Sequence, residues 1–210
     1  MTFKDPELTD ITQRTVAHYE AEAKQFWEGT RGHDVSQNIE ALLGAIQAEA
    51  PFRVLDFGCG PGRDLMAFRE RGHLPTGLDG TPAFVQMAAE YADVPVLHQN
   101  FLALDLPDAE FDGVFANASL FHVPMGELGR VLAELWACLK PGGVLFASNP
   151  RGKNEQGWNR GRFGAYHDFD HWREFATGAG FEAIRYYYRP EGLPRDQQPW
   201  LASLWRRPQT

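Results

Sequence analysis

The spacing of apolar positions along the chain changes after its first quarter. Before that point apolar residues recur at helical spacing, which predicts two helices, at 12–27 and 36–48, joined by a polar loop at 28–34. Afterwards short apolar runs alternate with helical segments. This order is typical of a parallel sheet with helices on both faces. We therefore expect one α/β domain over residues 1–210, with residues 1–50 as a helical cap or lid on the core.

Seven strands and four helices are predicted within the core at 51–210. The strands are expected at 52–57, 74–78, 94–98, 111–117, 142–148, 181–189 and 200–206. The helices are expected at 63–71, 82–91 and 125–139 and, after a cap at Asp168, as far as Thr177. A modest loop joins the last two strands, so they should be antiparallel neighbours. Residues 148–166 show no regular period, and a loop of that length in a compact domain is usually functional.

The first of these strands leads into a loop of alternating glycines. Asp56 ends the strand, Gly58, Gly60 and Gly62 follow, and a second acid, Asp79, closes the next strand. Glycines at such a turn let the backbone approach a nucleotide-like ligand where a side chain would collide. An acid in the position of Asp79 is placed to accept hydrogen bonds from both hydroxyls of a ribose. The pattern therefore predicts a nucleoside site at this turn.

Two residues of the loop argue against a dinucleotide. Pro61 removes an N–H donor that would otherwise face a pyrophosphate. Asp56 is poorly matched to phosphates but well matched to an amino group or a sulfonium cation.

With Asp79, the segment resembles motif I of the class I S-adenosylmethionine (SAM) methyltransferases. The resemblance implies SAM as cofactor, S-adenosylhomocysteine as product, and a Rossmann-like fold whose seven-stranded sheet is mostly parallel, with the last strand antiparallel.

The resemblance also implies a set of cofactor-binding residues at the strand ends and on the first helix. They are Tyr19, Asp56, Gly58, Cys59, Gly60, Asp64, Asp79, Gly80, Asn100, Phe101 and Asn117. In this family a polar side chain after the third strand reads the adenine amino group, a role for which Asn100 offers its amide oxygen. The alternative for Asn100 is a loop cap. Cys59 is expected to serve only as a small residue that the loop accepts.

Asn117 and His122, which follow the fourth strand, are the candidate catalytic residues. The resemblance places their segment beside the methionine part of SAM, where Asn117 would hold the amino group or line the cleft. An unperturbed histidine has a pKa of about 6.5, so His122 could accept a proton at neutral pH. The alternative is a histidine that packs at the mouth of a helix.

Four segments resemble one group within this family, the methyltransferase domain of the ovothiol pathway. They are residues 26–38, 115–124, 148–152 and 192–202. The resemblance implies methylation of an imidazole nitrogen of a histidine-derived small molecule, either 5-thiohistidine or its selenium analogue 5-selenohistidine. The chain has no room for an iron-dependent sulfur-inserting part, so we expect a separate upstream enzyme that inserts the sulfur or selenium.

The chemistry of such an amino acid suggests its binding residues. Its carboxylate suits arginine, its ammonium suits asparagine or aspartate, and its flat ring suits aromatic side chains. The candidates are Trp27, Arg31, Phe121, Asn149, Arg151 and Tyr166, and Arg160 and Arg162 beside Arg151 would also suit a carboxylate. Two alternatives stay open. One is methylation of another small molecule, such as histidine or a thiol, and the other is a SAM-binding protein without turnover.

Composition and charge narrow the classes of function that the chain could have. A net charge of −8 argues against nucleic-acid binding, and two cysteines imply no disulfide framework. No apolar run reaches membrane-spanning length and the N-terminus shows no apolar leader, so a cytosolic protein is expected. His167, Asp168, Asp170 and His171 suggest a metal site. However, Asp168 is explained as a helix cap and no third well-spaced ligand is evident, so no metal is expected.

Overall fold

The structure, a computed structural model, describes residues 5–209; residues 1–4 and 210, which the predicted domain includes, lie outside this part. Its helices are α1 (Pro6–Thr30), α2 (Ser36–Leu43), α3 (Arg63–Glu70), α4 (Pro82–Ala92), α5 (Met125–Cys138) and α6 (Phe169–Gly178). Its strands are β1 (Arg53–Phe57), β2 (Leu74–Asp79), β3 (Val96–His98), β4 (Phe111–Asn117), β5 (Leu139–Pro150), β6 (Glu155–Asn159), β7 (Arg162–Tyr166), β8 (Glu182–Arg189) and β9 (Trp200–Arg206). Short 3₁₀ helices occupy Leu120–His122 and Arg195–Gln197.

Seven of the described strands form one sheet, in the order β3-β2-β1-β4-β5-β9-β8. The pairs from β3 to β5 are parallel, whereas β9 is antiparallel to both β5 and β8. The predicted fold class, a mostly parallel seven-stranded sheet whose last strand is antiparallel, is therefore confirmed. Because β1 lies between β2 and β4, the loops that follow these three strands meet at one edge of the sheet.

The sheet separates two apolar clusters, because successive residues of a strand face opposite sides. Val114 of β4 belongs to the cluster that includes residues of α5 and α6, among them the buried Trp172. Its neighbour Phe115 belongs to the cluster on the other face, with Leu42 of α2 and Phe68 of α3. Burial of large apolar side chains contributes roughly 1.5–3 kcal/mol each. These two apolar clusters hold the sheet in place from both faces, including the edge that carries the site.

Helix α1 is longer than the helix predicted at 12–27. Asp5 caps its start by accepting a backbone N–H (2.9 Å), and a proline follows in the first turn. At its other end the helix continues to Thr30, so Gly29, expected in a loop, is helical. No helix in the described part of the chain is long and apolar enough to cross a membrane.

The segment predicted to be a long irregular loop contains a hairpin of β6 and β7. Its two-residue turn, Arg160 and Gly161, has φ angles of +49° and +85°. Positive φ at both central residues is typical of the tight turns that match the twist of a hairpin. The hairpin contacts α1, because the Phe163 N–H donates to Thr15 Oγ1 (3.1 Å). The missed hairpin therefore helps to hold α1 in place.

A substitution of Gly62, at the turn from β1 into α3, tests how closely this turn packs on α4. Its φ is +95°, and a Cβ added there would lie 2.8 Å from the Ala88 Cα. Gly72 has a similar φ of +79°, but such a Cβ would meet no described atom within 4 Å. Either glycine-to-alanine change should cost roughly 1–2 kcal/mol in backbone strain. Gly62→Ala should cost roughly 1–3 kcal/mol more from overpacking. Urea unfolding measures the difference, and equal losses for the two variants would show that the turn has room for a side chain.

Candidate active site

The loop after β1 packs closely against the end of β4. A Cβ added at Gly58 would lie 2.4 Å from the Ser119 Cβ, so only glycine fits there. The Gly58 N–H donates to the Leu78 carbonyl oxygen of β2 (2.8 Å). The loop is thereby fixed between the ends of its two neighbouring strands, and it presents backbone to the adjacent cleft.

Two buried carboxyl groups, Asp56 and Asp79, lie at this edge. Asp79 accepts hydrogen bonds from the backbone N–H groups of Gly60 (3.0 Å) and Thr81 (2.8 Å). Asp56 Oδ2 has no hydrogen-bond partner among the described residues. Burial raises the pKa of both carboxyl groups, and the nearby Asp64 raises that of Asp56 further. Because a buried carboxylate without a cation is costly, this edge favours a ligand that brings positive charge and hydrogen-bond donors.

Asp64, a third buried acid, is paired with its neighbour in the chain. The Arg63 guanidinium donates to both carboxylate oxygens (2.7 and 2.9 Å), and the Asn117 amide donates to Oδ2 (3.2 Å). The Asn117 oxygen accepts from the Asn38 amide of α2 (3.0 Å). Asn117 therefore links α2, α3 and the end of β4, and one N–H and one lone pair of its amide remain for a ligand.

A cleft with a cavity volume of about 100 Å³ opens beside these acids, between the sheet edge and α1. We term it the donor cleft. Seven predicted cofactor-binding residues line it, namely Tyr19, Gly58, Gly60, Asp79, Gly80, Asn100 and Phe101, and Ile11, Thr15 and Val16 of α1 cover it.

Polar groups on the wall of the donor cleft fit a nucleoside. Asn100 Oδ1 accepts from the Leu102 N–H (2.8 Å), which is the loop cap considered above, and it keeps a second lone pair for a ligand. Ser119, which the sequence analysis did not single out, places a buried Oγ without a partner among the described residues on the same wall. Phe101 stacks on Phe57 with ring centroids 4.3 Å apart. With the buried acids, these groups fit the adenosine and the cationic end of SAM.

A second, wider cleft continues from the donor cleft past Tyr19, and we term it the acceptor cleft. Nine predicted residues line it, namely Tyr19, Trp27, Gly58, Cys59, Gly60, Asp64, Asn117, Phe121 and Tyr166, together with Arg162. The charged residues Asp34, Arg63 and Arg189 also line it, and the sequence analysis missed them. Arg63 could have been predicted as a site residue, because it directly follows the glycine loop. Arg189 ends a run that reads simply as a strand.

Three predicted substrate-binding residues line neither cleft. Arg31 is exposed, because α1 continues to the residue before it and leaves it at the helix end. Asn149 follows Ser148, which lines the acceptor cleft, and successive side chains of a strand face opposite sides. Arg151 donates to the Arg195 carbonyl oxygen (2.8 Å) instead of facing the cleft.

His122 is held by hydrogen bonds on both sides of its ring. Nδ1 lies 2.6 Å from the Phe163 carbonyl oxygen, which can only accept, so Nδ1 carries the proton. Nε2 therefore accepts from the Tyr19 hydroxyl (2.8 Å). The Tyr19 oxygen also accepts from Arg162 Nη1 (3.1 Å). His122 lines the donor cleft only, whereas Tyr19 faces both clefts.

These contacts bear on the predicted role of His122 as a base. Burial lowers the pKa of His122 to about 4, and Tyr19 occupies its one acceptor nitrogen. The ring is thus neutral at neutral pH and orients the Tyr19 hydroxyl. The geometry favours the packed-histidine alternative over direct proton acceptance.

The candidate metal ligands at the start of α6 include the residue that caps this helix. Asp168 caps α6 by accepting the His171 N–H (2.9 Å), as predicted. The Nδ1 atoms of His167 and His171 lie 3.1 Å apart. Within residues 5–209 no group of three or more His, Cys, Asp and Glu side chains is placed to hold a metal ion.

Comparison with known proteins adds sequence similarity to the geometry described above. Residues 54–143 match the family model described as a methyltransferase domain. This segment is therefore similar in sequence to methyltransferase domains. An uncharacterised methyltransferase of Mycobacterium tuberculosis is 34% identical over 113 residues, which cover 51% of this chain and 55% of that protein. Trans-aconitate 2-methyltransferase of Paracidovorax citrulli is 36% identical over 118 residues, which cover 54% of this chain and 45% of that protein. The chain thus spans about half the length of these relatives.

A solved structure is similar over almost the whole chain. It is 1,6-didemethyltoxoflavin-N1-methyltransferase of Burkholderia thailandensis, with bound 1,6-didemethyltoxoflavin and S-adenosylhomocysteine. The TM-score is 0.75 at 24% identity, and the match covers 99% of this chain and 92% of that chain. The similarity shows that the fold is that of the class I methyltransferases. Together with the domain match, it confirms the prediction of a SAM-dependent methyltransferase domain.

Asp79→Asn in this domain should weaken the binding of S-adenosylhomocysteine. The side chain keeps its volume, but one oxygen that accepts hydrogen bonds becomes a donor. We expect a loss of roughly 10- to 100-fold in affinity, as for a hydrogen bond to a charged group. The control is Asp93→Asn, at an exposed acid after α4, which should bind like the wild type. Isothermal titration calorimetry compares the three proteins, and wild-type affinity in Asp79→Asn would remove Asp79 from the site.

The pKa of His122 predicts how stability depends on pH. Between about 4 in the folded state and about 6.5 in the unfolded state, the unfolded chain binds more protons. The free energy of unfolding should therefore fall as the pH decreases from about 6.5 to about 4. His122→Asn removes this titration and should reduce the slope, while His167, whose pKa is also lowered to about 4, titrates in both proteins. Urea unfolding at several pH values measures the slopes, and identical slopes would contradict the assignment.

Proposed function

We propose that this chain is a SAM-dependent N-methyltransferase that acts on an imidazole nitrogen of a histidine-derived small molecule, 5-thiohistidine or 5-selenohistidine. The observation that carries the proposal is the acceptor cleft. It meets the donor cleft at Tyr19 and combines both signs of charge with aromatic rings.

The charged side chains of the acceptor cleft suit a zwitterionic amino acid. Arg162 and Arg189 offer guanidinium groups, which pair with carboxylates through two parallel hydrogen bonds. Asp34 offers a carboxylate for the ammonium. Hydrogen bonds from the Ser36 hydroxyl and N–H lower the pKa of Asp34, so it is ionised at neutral pH.

Aromatic side chains of the same cleft suit a flat ring. The rings of Phe121 and Tyr166 have centroids 6.1 Å apart and an interplanar angle of 29°. Trp27 lines the cleft from α1. An imidazole can pack on such faces by stacked or edge contacts. The cleft therefore offers separate groups for the ring and for the charged end of one molecule.

When bound, SAM supplies a methyl group activated by the positive charge on its sulfur. The residues of the chain orient the acceptor and exclude water. Tyr19, fixed by His122 and Arg162, places its oxygen at the junction of the clefts. There it can accept a hydrogen bond from the N–H of a neutral imidazole, which leaves the lone pair of the other ring nitrogen free to react.

Two similarities support a ring nitrogen of such a molecule as the acceptor. The Burkholderia enzyme is named as an N1-methyltransferase. In addition, all four segments that resemble the ovothiol-pathway domain contribute to the acceptor cleft, through Trp27, Phe121, Ser148 and Trp200. A separate upstream enzyme that inserts sulfur or selenium and a cytosolic location belong to the same proposal.

The proposal is tested with labelled SAM and a panel of acceptors. The panel contains 5-thiohistidine, 5-selenohistidine, histidine and trans-aconitate, the last chosen because of the Paracidovorax relative. We expect label in a product of 5-thiohistidine or 5-selenohistidine, with the methyl group on a ring nitrogen as located by NMR. Asp79→Asn should lower the rate at subsaturating SAM and leave the site of methylation unchanged.

The other outcomes each contradict the proposal in a distinct way. Methylation of trans-aconitate, or of the sulfur or selenium atom, would establish a small-molecule methyltransferase with another acceptor. Binding of S-adenosylhomocysteine without turnover of any acceptor would favour a SAM-binding protein that does not catalyse transfer.

A further inference from the structure

Two of the guanidinium groups that line the acceptor cleft are engaged by the protein itself. Arg63 donates to both carboxylate oxygens of Asp64 and to the Thr30 carbonyl oxygen (2.9 Å). Arg162 donates to the Tyr19 hydroxyl (3.1 Å) and lies over its ring. The charge of Arg63 is therefore neutralised, and the orientation of Arg162 is set by Tyr19.

Arg189 lacks such partners. Its Nε is buried and has no hydrogen-bond partner among the described residues. Within residues 5–209 it forms no ion pair with a carboxylate at 4.0 Å or less. Its position is fixed, because it ends β8 and pairs with Trp200 of β9, which also lines the cleft. A buried guanidinium N–H without an acceptor is costly, so the site favours an anionic ligand.

Asp34 stands near Arg189 but does not neutralise it. The charge of Arg189 contributes to the lowered pKa of Asp34, after the larger effect of the hydrogen bonds from Ser36. Both residues line the acceptor cleft, and within residues 5–209 they form no ion pair with each other at 4.0 Å or less. An α-amino acid carries a carboxylate and an ammonium on one carbon, which complements two opposite charges that line one cleft without pairing.

We propose that Arg189 is the residue that binds the α-carboxylate of the acceptor, while Asp34 receives its ammonium. The inference rests on the proposed function, because it takes the acceptor to be an amino acid. It assigns to Arg189 the preference for the amino acid over the amine that lacks the carboxylate.

The experiment measures this preference by calorimetry on protein saturated with S-adenosylhomocysteine. The probes are 5-thiohistidine and its decarboxylated amine. The wild type should bind the acid roughly 10- to 100-fold more tightly than the amine, as expected for hydrogen bonds to a charged group. Arg189→Gln should abolish that ratio by weakening the acid alone. Arg189→Lys keeps the charge but loses the two-pronged geometry, so it should restore the ratio only in part.

Arg185→Gln is the matched control. Arg185 is an exposed arginine of the same strand, and its guanidinium lies 5.4 Å from the Tyr187 ring centroid, outside both clefts. This variant should keep the wild-type ratio. Because each ratio compares two probes on one protein, a general loss of stability in a variant does not imitate the expected result.

The outcomes separate this inference from the proposed function. An unchanged ratio in Arg189→Gln, no preference in the wild type, or no binding of either probe would overturn the role of Arg189. Labelled-SAM turnover is measured on the same preparations. An acid preference that depends on Arg189 but comes without ring methylation would retain the carboxylate site and reject the proposed reaction. Ring methylation with an unchanged ratio would do the reverse.

Discussion

The burial of carboxyl groups at one edge of the sheet is the constraint on which the site depends. Asp56, Asp64 and Asp79 are all buried there, and among the described residues only Asp64 has a cationic partner, Arg63. Removing a carboxylate from water costs several kcal/mol, by rough estimate, unless it is paired. Backbone N–H groups offset part of this cost at Asp79. At Asp56, Oδ2 has no partner among the described residues and burial raises the pKa, so a nearby cation, such as the sulfonium or ammonium group of SAM, would stabilise the ionised carboxylate. The same argument excludes a pyrophosphate from this loop.

A cover over this edge strengthens these electrostatic interactions by excluding water. Helix α1 and the β6–β7 hairpin provide it together, since Thr15 of α1 accepts the Phe163 N–H of the hairpin. His122 is the point where the cover joins the sheet. This residue follows β4 in the chain. Its ring donates a hydrogen bond to the Phe163 carbonyl oxygen and accepts one from the Tyr19 hydroxyl of α1. A histidine in that position contributes through its two directed hydrogen bonds, and a neutral ring makes both of them at low cost.

Features set by neighbouring residues were predictable from the sequence, whereas features set by distant pairing were not. The glycine loop and most strands follow from local spacing. The hairpin turn at Arg160 and Gly161 lacks the Asn-Gly or Asp-Gly pair that usually marks such a turn. Arg31 was expected to bind substrate, but α1 is longer than its apolar stripe indicates, so Arg31 lies at the end of this helix. Asn149 was expected there as well, but in a strand its side chain faces the opposite side from that of Ser148. Arg189 reaches the cleft only because β8 pairs with β9, a contact that no local pattern reveals.

The two clefts differ in charge, because a carboxyl group without an arginine or lysine lines the donor cleft, whereas arginines line the acceptor cleft beside its acids. This difference limits how a zwitterionic acceptor can lie. A carboxylate directed toward the donor cleft would face Asp79, whereas one directed away from it would meet Arg189. In the proposed binding mode, with the carboxylate held there, the ring of the acceptor would lie toward Tyr19, which lines both clefts. The Tyr19 oxygen would then favour the neutral ring that can donate an N–H to it. Because the neutral ring already carries a free lone pair, orientation rather than a strong base would control the transfer. A buried His122 with a pKa of about 4 is consistent with that division of roles.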